Sequence, residues 1–277
     1  MTAWHVIVIG AQNFLYDKEL KILVDCGIGK DLVKTLLREI GAVGACWMTH
    51  AHTDHYGGLK YLLKSSPAVR IFAPPGEFPF LINPDLEPAL LYGGYFPKAL
   101  ATRWLLGPSD LPVQELAFES YPHIDFVPLQ GHSPALFGIA WDGMLFTSDA
   151  LFGQEILVKY PLLYHYNPLQ ALETLKTLEK HYERFLPAHG SAGGRELLAG
   201  NRSCIERAFN ACLEIAGEGT VTLDGLIQSA MERLAPAKTI ETYFLSRSAL
   251  AGYVSALERE KQLTLVLESG QVLVQIP

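Results

Sequence analysis

One hexapeptide of the sequence gathers four side chains that can ligate a metal ion. It reads His50-Ala51-His52-Thr53-Asp54-His55. In an extended segment, residues two apart point the same way, so His50 and His52 can converge on one ion. Asp54 and His55 follow where the chain is expected to turn into a helix, and they can aim at a second position close by. Four such side chains are costly to bury as ordinary core because each needs its own polar partner, so the spacing predicts a metal site.

The hexapeptide resembles the H-x-H-x-D-H signature of the metallo-β-lactamase superfamily. Three later segments extend this resemblance in chain order: Gly131-His132-Ser133-Pro134, Ser148-Asp149-Ala150 and Pro187-Ala188-His189-Gly190. The resemblance covers about residues 3–198 and implies a complete set of ligands. In that set the first metal is held by His50, His52 and His132, the second by Asp54, His55 and His189, and both by the bridging Asp149.

The implied cofactors are two divalent metal ions. Imidazole mixed with carboxylate suits zinc best, and iron or manganese also fit such ligands. A hydroxide that bridges two metal ions is a nucleophile at neutral pH, and the ions polarise the bond under attack. The resemblance therefore implies a metal-dependent hydrolase of a small ester, thioester or lactone. Asp54 is the expected catalytic residue, because it can orient the hydroxide or move a proton.

Departures from the superfamily pattern narrow the expected function. Asp149 differs from the second-site ligands of secreted antibiotic-degrading members, and His52 stands where flavo-diiron oxidoreductases have Glu. The C-terminal helices do not read like the glutathione-binding helices of glyoxalase II. Two alternative functions stay open, a phosphodiesterase or nuclease with the same two-metal site and an oxidoreductase resembling the mononuclear-iron persulfide dioxygenases. A non-enzymatic winged-helix regulator is a third.

The elements that must position these residues follow from the hydrophobic periodicity. Short strands alternate with helices up to about residue 198. The resemblance implies that they form an α+β fold, the four-layer αβ/βα sandwich of the superfamily. Asp31 is expected to cap a helix that Gly41 ends, and Asn167-Pro168 to begin another that runs to about Arg184. Asp142-Gly143 predicts a two-residue hairpin. The predicted strands include residues 4–10, 13–16, 21–25, 45–49, 69–73, 136–141 and 144–147.

The stretch from about residue 74 to 121 breaks this alternation and is rich in proline and aromatic residues. We interpret it as an inserted helical or irregular segment, and as a candidate lid over the site. It favours an apolar or acyl substrate, although a plain hydrophobic cover explains it equally well. The polar groups that could meet a substrate there or nearby are Tyr56, Tyr164, Tyr166, Lys98 and Arg103.

Residues 199–277 read as a small separate domain beside a catalytic domain of residues 1–198. Helical patterns cover about 196–216, 223–234 and 241–261, and a hairpin joins 263–267 to 272–276. Three helices closed by a hairpin suggest a winged-helix-like unit. It carries seven basic and nine acidic side chains, a net charge of −2, so we expect it to serve packing or dimerisation and not the reading of DNA.

The composition indicates the partners and the compartment. The net charge is −7, and residues 74–131 carry two basic and seven acidic side chains, which disfavours nucleic acid and leaves a small-molecule substrate. No apolar run approaches a membrane span, and Met1–Gly10 reads as a first strand and not as a secretion signal. Cys26, Cys46, Cys204 and Cys212 match no zinc or redox pattern. We expect buried free thiols and a cytoplasmic location, and the sequence leaves a homodimer open.

Overall fold

The computed structural model of the protein describes residues 4–277, so Met1–Ala3 of the expected first strand lie outside the described residues. The chain opens with a six-stranded sheet whose strands neighbour one another in chain order. The first three strands are antiparallel and the following pairs are parallel. The strands are β1 (Trp4–Ile9), β2 (Gln12–Asp17), β3 (Ile22–Val24), β4 (Ala45–Trp47), β5 (Arg70–Ala73) and β6 (Val113–Glu115).

The inner strands of this sheet are mostly buried because both faces of the sheet are covered. In β2, Phe14 and Tyr16 belong to the core under the outer helices, whereas Leu15 belongs to the core between the sheets. In β4, Cys46 and Trp47 divide in the same way. Side chains on a strand alternate between faces, so each strand contributes to two cores.

A second sheet of four strands lies opposite the first and has the order β10-β9-β8-β7. Phe137, Phe146 and Leu186 of this sheet share a core with Trp47 and Phe72 of the first. The predicted hairpin between β8 and β9 is confirmed, and Asp142 and Gly143 both have positive φ values, 43° and 72°, as a two-residue primed turn requires. The strands are β7 (Asp125–Pro128), β8 (Phe137–Trp141), β9 (Met144–Ser148) and β10 (Phe185–Pro187).

Helices cover the outer face of each sheet. Val33 and Leu59 pack on the first sheet, and Leu175 and Ile205 pack on the second. The order of layers is helices, sheet, sheet, helices, which confirms the predicted sandwich. Within residues 4–277, no helix has both the length and the apolar content needed to cross a membrane. The helices of these layers are α1 (Lys30–Ile40), α2 (Thr53–Tyr56), α3 (Leu59–Ser65), α6 (Gln154–Lys159), α7 (Pro168–His181) and α8 (Arg195–Gly217).

Two details of the helix predictions are wrong. Helix α1 follows Gly29, and Asp31 lies inside its first turn, where its charge faces the helix N-terminus without capping it. Helix α7 has the predicted cap, since the Asn167 side chain accepts a hydrogen bond from the Gln170 amide, but it ends at His181. The backbone turns to extended geometry at Tyr182 and leads into β10.

The segment between β5 and β7 is mostly helical or irregular, as predicted. It contains α4 (Phe78–Ile82), α5 (Leu86–Tyr92) and two short 3-10 helices, at Lys98–Leu100 and Phe118–Ser120. The sequence analysis missed β6, which extends the first sheet at its edge beside β5. A small core of Leu91, Leu100 and Leu105 holds the rest of the segment together.

The C-terminal part of the chain contains α8, α9 (Leu223–Leu234), α10 (Ile240–Arg259) and a three-stranded sheet. The strands are β11 (Val221–Thr222), β12 (Thr264–Glu268) and β13 (Gln271–Gln275). The three predicted helices and the hairpin are therefore present. Helix α8 runs through residues 198 and 199, and the division of the chain there stays a prediction, as does the winged-helix description.

Candidate metal centre

The candidate site lies at one edge of the sandwich, where several strands end. Asp25 directly follows β3, and Asp149 directly follows β9. His50 is the third residue after β4, and His189 is the second residue after β10. Strands β3 and β4 are parallel, as are β9 and β10, so their carboxyl ends deliver these side chains to the same edge. His132 joins them from the turn between β7 and β8.

Three histidines form the first group of the site. Nitrogen atoms of His50, His52 and His132 lie within 4.8 Å of one another. The Nε2 atom of His132 is 2.9 Å from Nδ1 of His52. The Nε2 atom of His50 is buried and has no hydrogen-bond partner among the described residues. Three ring nitrogens therefore face one small volume.

Asp54, His55 and His189 form the second group, with ligand atoms that also lie within 4.8 Å of one another. The Nε2 atoms of His189 and His55 are 3.2 Å apart, and Oδ2 of Asp54 is 3.2 Å from Nε2 of His189. Helix α2 explains this placement, because it begins at Thr53 and turns Asp54 and His55 away from the direction of His50 and His52.

Asp149 lies between the two groups. Its Oδ1 atom is 3.2 Å from Nε2 of His55, and its Oδ2 atom is 3.7 Å from Nε2 of His132. Each carboxylate oxygen thus faces a different group. All seven residues singled out from the sequence are brought together.

The donor atoms fit divalent metal ions. Two unprotonated imidazole nitrogens at 2.9–3.2 Å repel each other through their lone pairs unless a proton or a cation lies between them. Imidazole and carboxylate are the ligands of zinc and of several other divalent metals. The Nε2 atom of His50, which is buried and has no hydrogen-bond partner among the described residues, also favours a bound metal ion. The cluster can therefore hold metal.

The charge balance differs between the two groups. Burial, followed by the neighbouring histidines, lowers the pKa of His50 and of His132 well below the usual imidazole range, so these rings are neutral and offer a lone pair. Burial also acts to lower the pKa of His55, but the surrounding carboxylates, Asp149 foremost, raise it well above that range. Burial opposes ionisation of Asp149, yet His189 and His55 lower its pKa to about 2.

Buried polar groups behind the cluster, which were not predicted from the sequence, fix the orientation of its rings. The Nδ1–H group of His55 donates to Oδ2 of Asp25 at 2.8 Å, which directs Nε2 toward the cluster. The Thr49 hydroxyl donates to the same carboxylate at 2.8 Å and lies 3.1 Å from Nδ1 of His50. Asp25 and Ser148 have positive φ values of 59° and 47°, a strained conformation typical of functional sites.

Glu77 joins two of the segments that carry ligands. Its buried carboxylate accepts hydrogen bonds from the Ala51 amide at 3.1 Å and, at 2.7 Å each, from the Ser133 hydroxyl and the Ala135 amide. The loop of His50 and His52 is thereby tied to the turn of His132. Glu77 comes from the inserted segment, so that segment also supports the site.

The remaining candidate residues divide between the site and the rest of the molecule. Tyr164 lies beside His52, with ring centroids 5.8 Å apart, and burial raises its pKa to about 12. Tyr166 is more exposed and lines, as Tyr164 does, the cavity described below. Tyr56 is fully buried in the core under α1 and α3. His5, His123 and His181 are exposed, and His165 is buried next to His132.

A cavity of about 880 Å³ opens above the cluster. Its floor contains His52, Asp54, His132, Asp149 and His189, and its walls are mostly apolar. Such a cavity is large enough to enclose a small organic molecule.

Comparison with known proteins identifies the family. The model of the metallo-beta-lactamase superfamily matches residues 9–189. Because this match covers well over half of the chain, the chain belongs to the metallo-beta-lactamase superfamily.

Individual relatives are distant. A hydroxyacylglutathione hydrolase of Buchnera aphidicola subsp. Schizaphis graminum is 32% identical over 53 residues, which are 19% of this chain and 21% of that protein. The matched segment thus spans about one fifth of that relative.

Two solved structures are similar to almost the whole chain. A beta-lactamase domain protein from Burkholderia ambifaria has a TM-score of 0.70 at 19% identity, covering 99% of this chain and 86% of that one. A metallo-beta-lactamase family protein from Thermus thermophilus has a TM-score of 0.70 at 17% identity, covering 99% and 98%. These structures share the fold, including its C-terminal part.

Proposed function

We propose that the protein uses two divalent metal ions to hydrolyse a carboxylic ester, thioester or lactone. The observation that supports this most is the cluster of seven residues with nitrogen and oxygen donors, five of which line the floor of a mostly apolar cavity. In this proposal one ion is held by His50, His52 and His132, the other by Asp54, His55 and His189, and Asp149 contacts both. Zinc suits these donors best, and iron and manganese are the alternatives.

When bound, such ions lower the pKa of a coordinated water and polarise the substrate carbonyl. The side chains perform the remaining tasks. Water oxygen bonds to the acyl carbon, the acyl bond to the leaving oxygen or sulfur breaks, and the leaving group takes up the proton that the water gives up. Asp54 is suited to carry that proton on its carboxylate, because it is 32% exposed at the cavity floor.

Tyr164 supplies a hydrogen-bond donor for the same reaction. Its pKa of about 12 keeps the hydroxyl protonated at neutral pH, and the residue lines the cavity beside His52. A donor at this position can stabilise negative charge on the carbonyl oxygen as the tetrahedral state forms. Tyr164→Phe should therefore lower kcat more than it raises KM.

The apolar walls support an acyl substrate over a phosphoryl one. Phosphoryl groups are usually bound by several cations, and Lys98 and Arg103 are absent from the described lining of the cavity. The Buchnera relative carries the name of a thioester hydrolase, which agrees with acyl chemistry over the short matched segment.

The decisive experiment begins with elemental analysis of protein purified without added metal. A panel of esters, thioesters, lactones and bis-p-nitrophenyl phosphate is then tested before chelation, after chelation and after zinc is restored. We expect acyl hydrolysis that chelation abolishes and zinc restores. Turnover of the phosphodiester alone would replace the proposal with a phosphodiesterase, and one iron per chain with no acyl hydrolysis would replace it with an oxidoreductase.

We also propose that the protein is a cytoplasmic enzyme that acts on a small molecule. Its C-terminal unit is winged-helix-like in this proposal and does not bind DNA. Four buried free thiols and the acidic charge support this description. Gel-shift titration at low salt tests for DNA binding, and light scattering during gel filtration decides between a monomer and a homodimer.

A further inference from the structure

The cavity above the metal cluster is enclosed by parts of the chain that lie far apart in sequence. The inserted segment contributes Phe80, Leu90 and Trp104, and the stretch that follows β9 contributes Phe152 and Leu163. Helix α10 of the C-terminal part closes the remaining side with Thr242, Leu245 and its N-cap residue Thr239. The walls combine aromatic and aliphatic side chains, so the space suits an apolar group.

Large apolar side chains at the rim of this cavity remain exposed. Leu90 is 48% exposed, Trp104 52% and Leu245 38%, and all three line the cavity. Apolar surface in contact with water is unfavourable, and its concentration around one concave site is typical of a ligand-binding groove. An apolar ligand would cover these side chains.

Helix α10 is held firmly against the inserted segment. Phe244 packs on the small core of Leu91, Leu100 and Leu105, and its ring centroid is 5.2 Å from that of Tyr92 on α5. Leu245 is the next residue along the helix, so its position relative to Leu90 and Trp104 is set by this packing. The part of the cavity between the inserted segment and α10, called the groove below, is therefore preorganised, which reduces the entropy lost when a ligand binds.

The charges around the groove disfavour an anionic ligand. Outside the seven clustered residues, the described lining contains one lysine, Lys159, and three glutamates, Glu77, Glu87 and Glu241. Lys159 lies over the ring of Tyr160, with Nζ 4.9 Å from its centroid. A single lysine in the lining does not make a clamp for a phosphate or carboxylate, so a neutral molecule fits better.

We propose that the groove between the inserted segment and α10 binds the alkyl chain of a neutral ester or lactone whose carbonyl lies at the metal cluster. This proposal rests on the proposed hydrolase function and adds the substrate class. The alkyl chain lies between Trp104 and Leu245, and the C-terminal part of the chain thereby acts in substrate selection.

The first test measures kcat/KM for p-nitrophenyl acetate, butyrate, hexanoate and octanoate with the zinc-loaded enzyme. Each methylene that the groove buries is expected to raise kcat/KM roughly four-fold. The rise should stop when the groove is full. Equal values for acetate and octanoate would overturn the alkyl-chain site.

The second test replaces Leu245 by Glu, which puts a charge on the path of the chain. We expect the ratio of the octanoate value to the acetate value to fall at least about ten-fold. Leu265→Glu is the matched control, because Leu265 lies on β12 outside the cavity lining and is 39% exposed, against 38% for Leu245. It should leave the ratio unchanged, and Leu245→Ala should lower the ratio less than Leu245→Glu does. An unchanged ratio in a Leu245→Glu protein with a normal thermal unfolding midpoint would refute the proposal.

A binding measurement separates this proposal from the proposed hydrolase function. 2-Decanone is neutral and cannot be hydrolysed, and calorimetry should show that it binds more tightly than 2-butanone and that Leu245→Glu removes the difference. Alkyl-dependent binding without hydrolysis of any ester, thioester or lactone would refute the hydrolase function. Hydrolysis of acetate with no dependence on chain length in either assay would refute the alkyl-chain site alone.

Discussion

The clustered side chains depend on a few buried polar groups that face away from the cavity. Asp25 is the clearest case, because one carboxylate orients His55 and also accepts hydrogen bonds from the amide and the hydroxyl of Thr49. Thr49 in turn contacts Ser148, with hydroxyl oxygens 2.8 Å apart, and Ser148 precedes Asp149. Both groups of the candidate centre are thus connected through a single buried network.

We predict that Asp25→Ala lowers metal affinity about 10- to 100-fold, because His55 loses the acceptor that fixes its ring. Competition with a chromophoric chelator measures the affinity. Asp110→Ala is a matched control, since both aspartates have φ near 59° and Asp110 is exposed. If both variants bind metal equally well, Asp25 does not orient a ligand.

His165 should make the stability of the protein depend on pH. Burial lowers its pKa to about 4, whereas an unfolded histidine titrates near 6.5. As the pH falls below about 6.5, the His165 imidazole takes up a proton in the unfolded chain before it does so in the folded protein. The stability that the neutral imidazole contributes above about pH 6.5 is therefore lost by about pH 4. Urea unfolding of chelated protein should show wild type losing about 1.4 kcal/mol per pH unit relative to His165→Phe in this window.

The exposed His181 offers a control for this measurement. His181→Asn should follow the wild-type profile. Parallel profiles of wild type and His165→Phe would show that His165 does not titrate differently on folding.

The clustering of the seven residues was predictable from the sequence, because four of them fall within six residues and the others lie in short motifs. The roles of Asp25 and Glu77 were not predicted, because their hydrogen-bond partners are distant in the sequence. Asp25 lies 30 residues from His55, and Glu77 lies 56 residues from Ser133. A single aspartate after a strand, or a glutamate in a proline-rich segment, has no local pattern that predicts such a bond.

At the scale of elements, the start of α4 holds the site together through Glu77. This side chain connects the loop after β4 to the turn after β7. The inserted segment is therefore part of the scaffold as well as a wall of the cavity.

We predict that Glu77→Ala destabilises the protein by about 2–4 kcal/mol, because three donors, two of them in buried hydrogen bonds, lose their acceptor. Urea unfolding of the metal-free protein measures the change in the free energy of unfolding. Glu119→Ala, at an exposed position of the same segment, should change it by no more than about 0.5 kcal/mol. Equal effects of the two substitutions would show that Glu77 is structurally dispensable.

Element boundaries were predictable where periodicity and end signals agreed. Helix α9 has the predicted bounds, and Gly41 ends α1 with a φ of 77° that favours glycine. Strand β6 was missed because three residues, Val113–Glu115, are too few to show alternation. Asp31 was misassigned because an acidic residue suits both a cap and a first helical turn.

At the scale of the molecule, one core joins the two parts of the chain. Leu175 and Phe185 of the sandwich share it with Ile205, Leu226 and Leu250 of the C-terminal helices. The groove between the inserted segment and α10 is a second junction. Neither junction could be predicted, because each depends on how surfaces distant in sequence pack together.

We predict that a chain truncated to residues 1–194 does not fold cooperatively, because the outer face of the second sheet loses much of its cover. Circular dichroism during thermal unfolding and limited proteolysis test this, with the full chain as the control. A sharp unfolding transition in the truncated chain would show an independent catalytic domain.

We propose above that seven side chains hold a pair of metal ions. Anomalous X-ray diffraction, recorded at the absorption edge of the metal found in the purified protein, tests it most directly. We predict two peaks, one among His50, His52 and His132 and one among Asp54, His55 and His189, both in contact with Asp149. A single peak, or peaks away from these residues, would contradict the account.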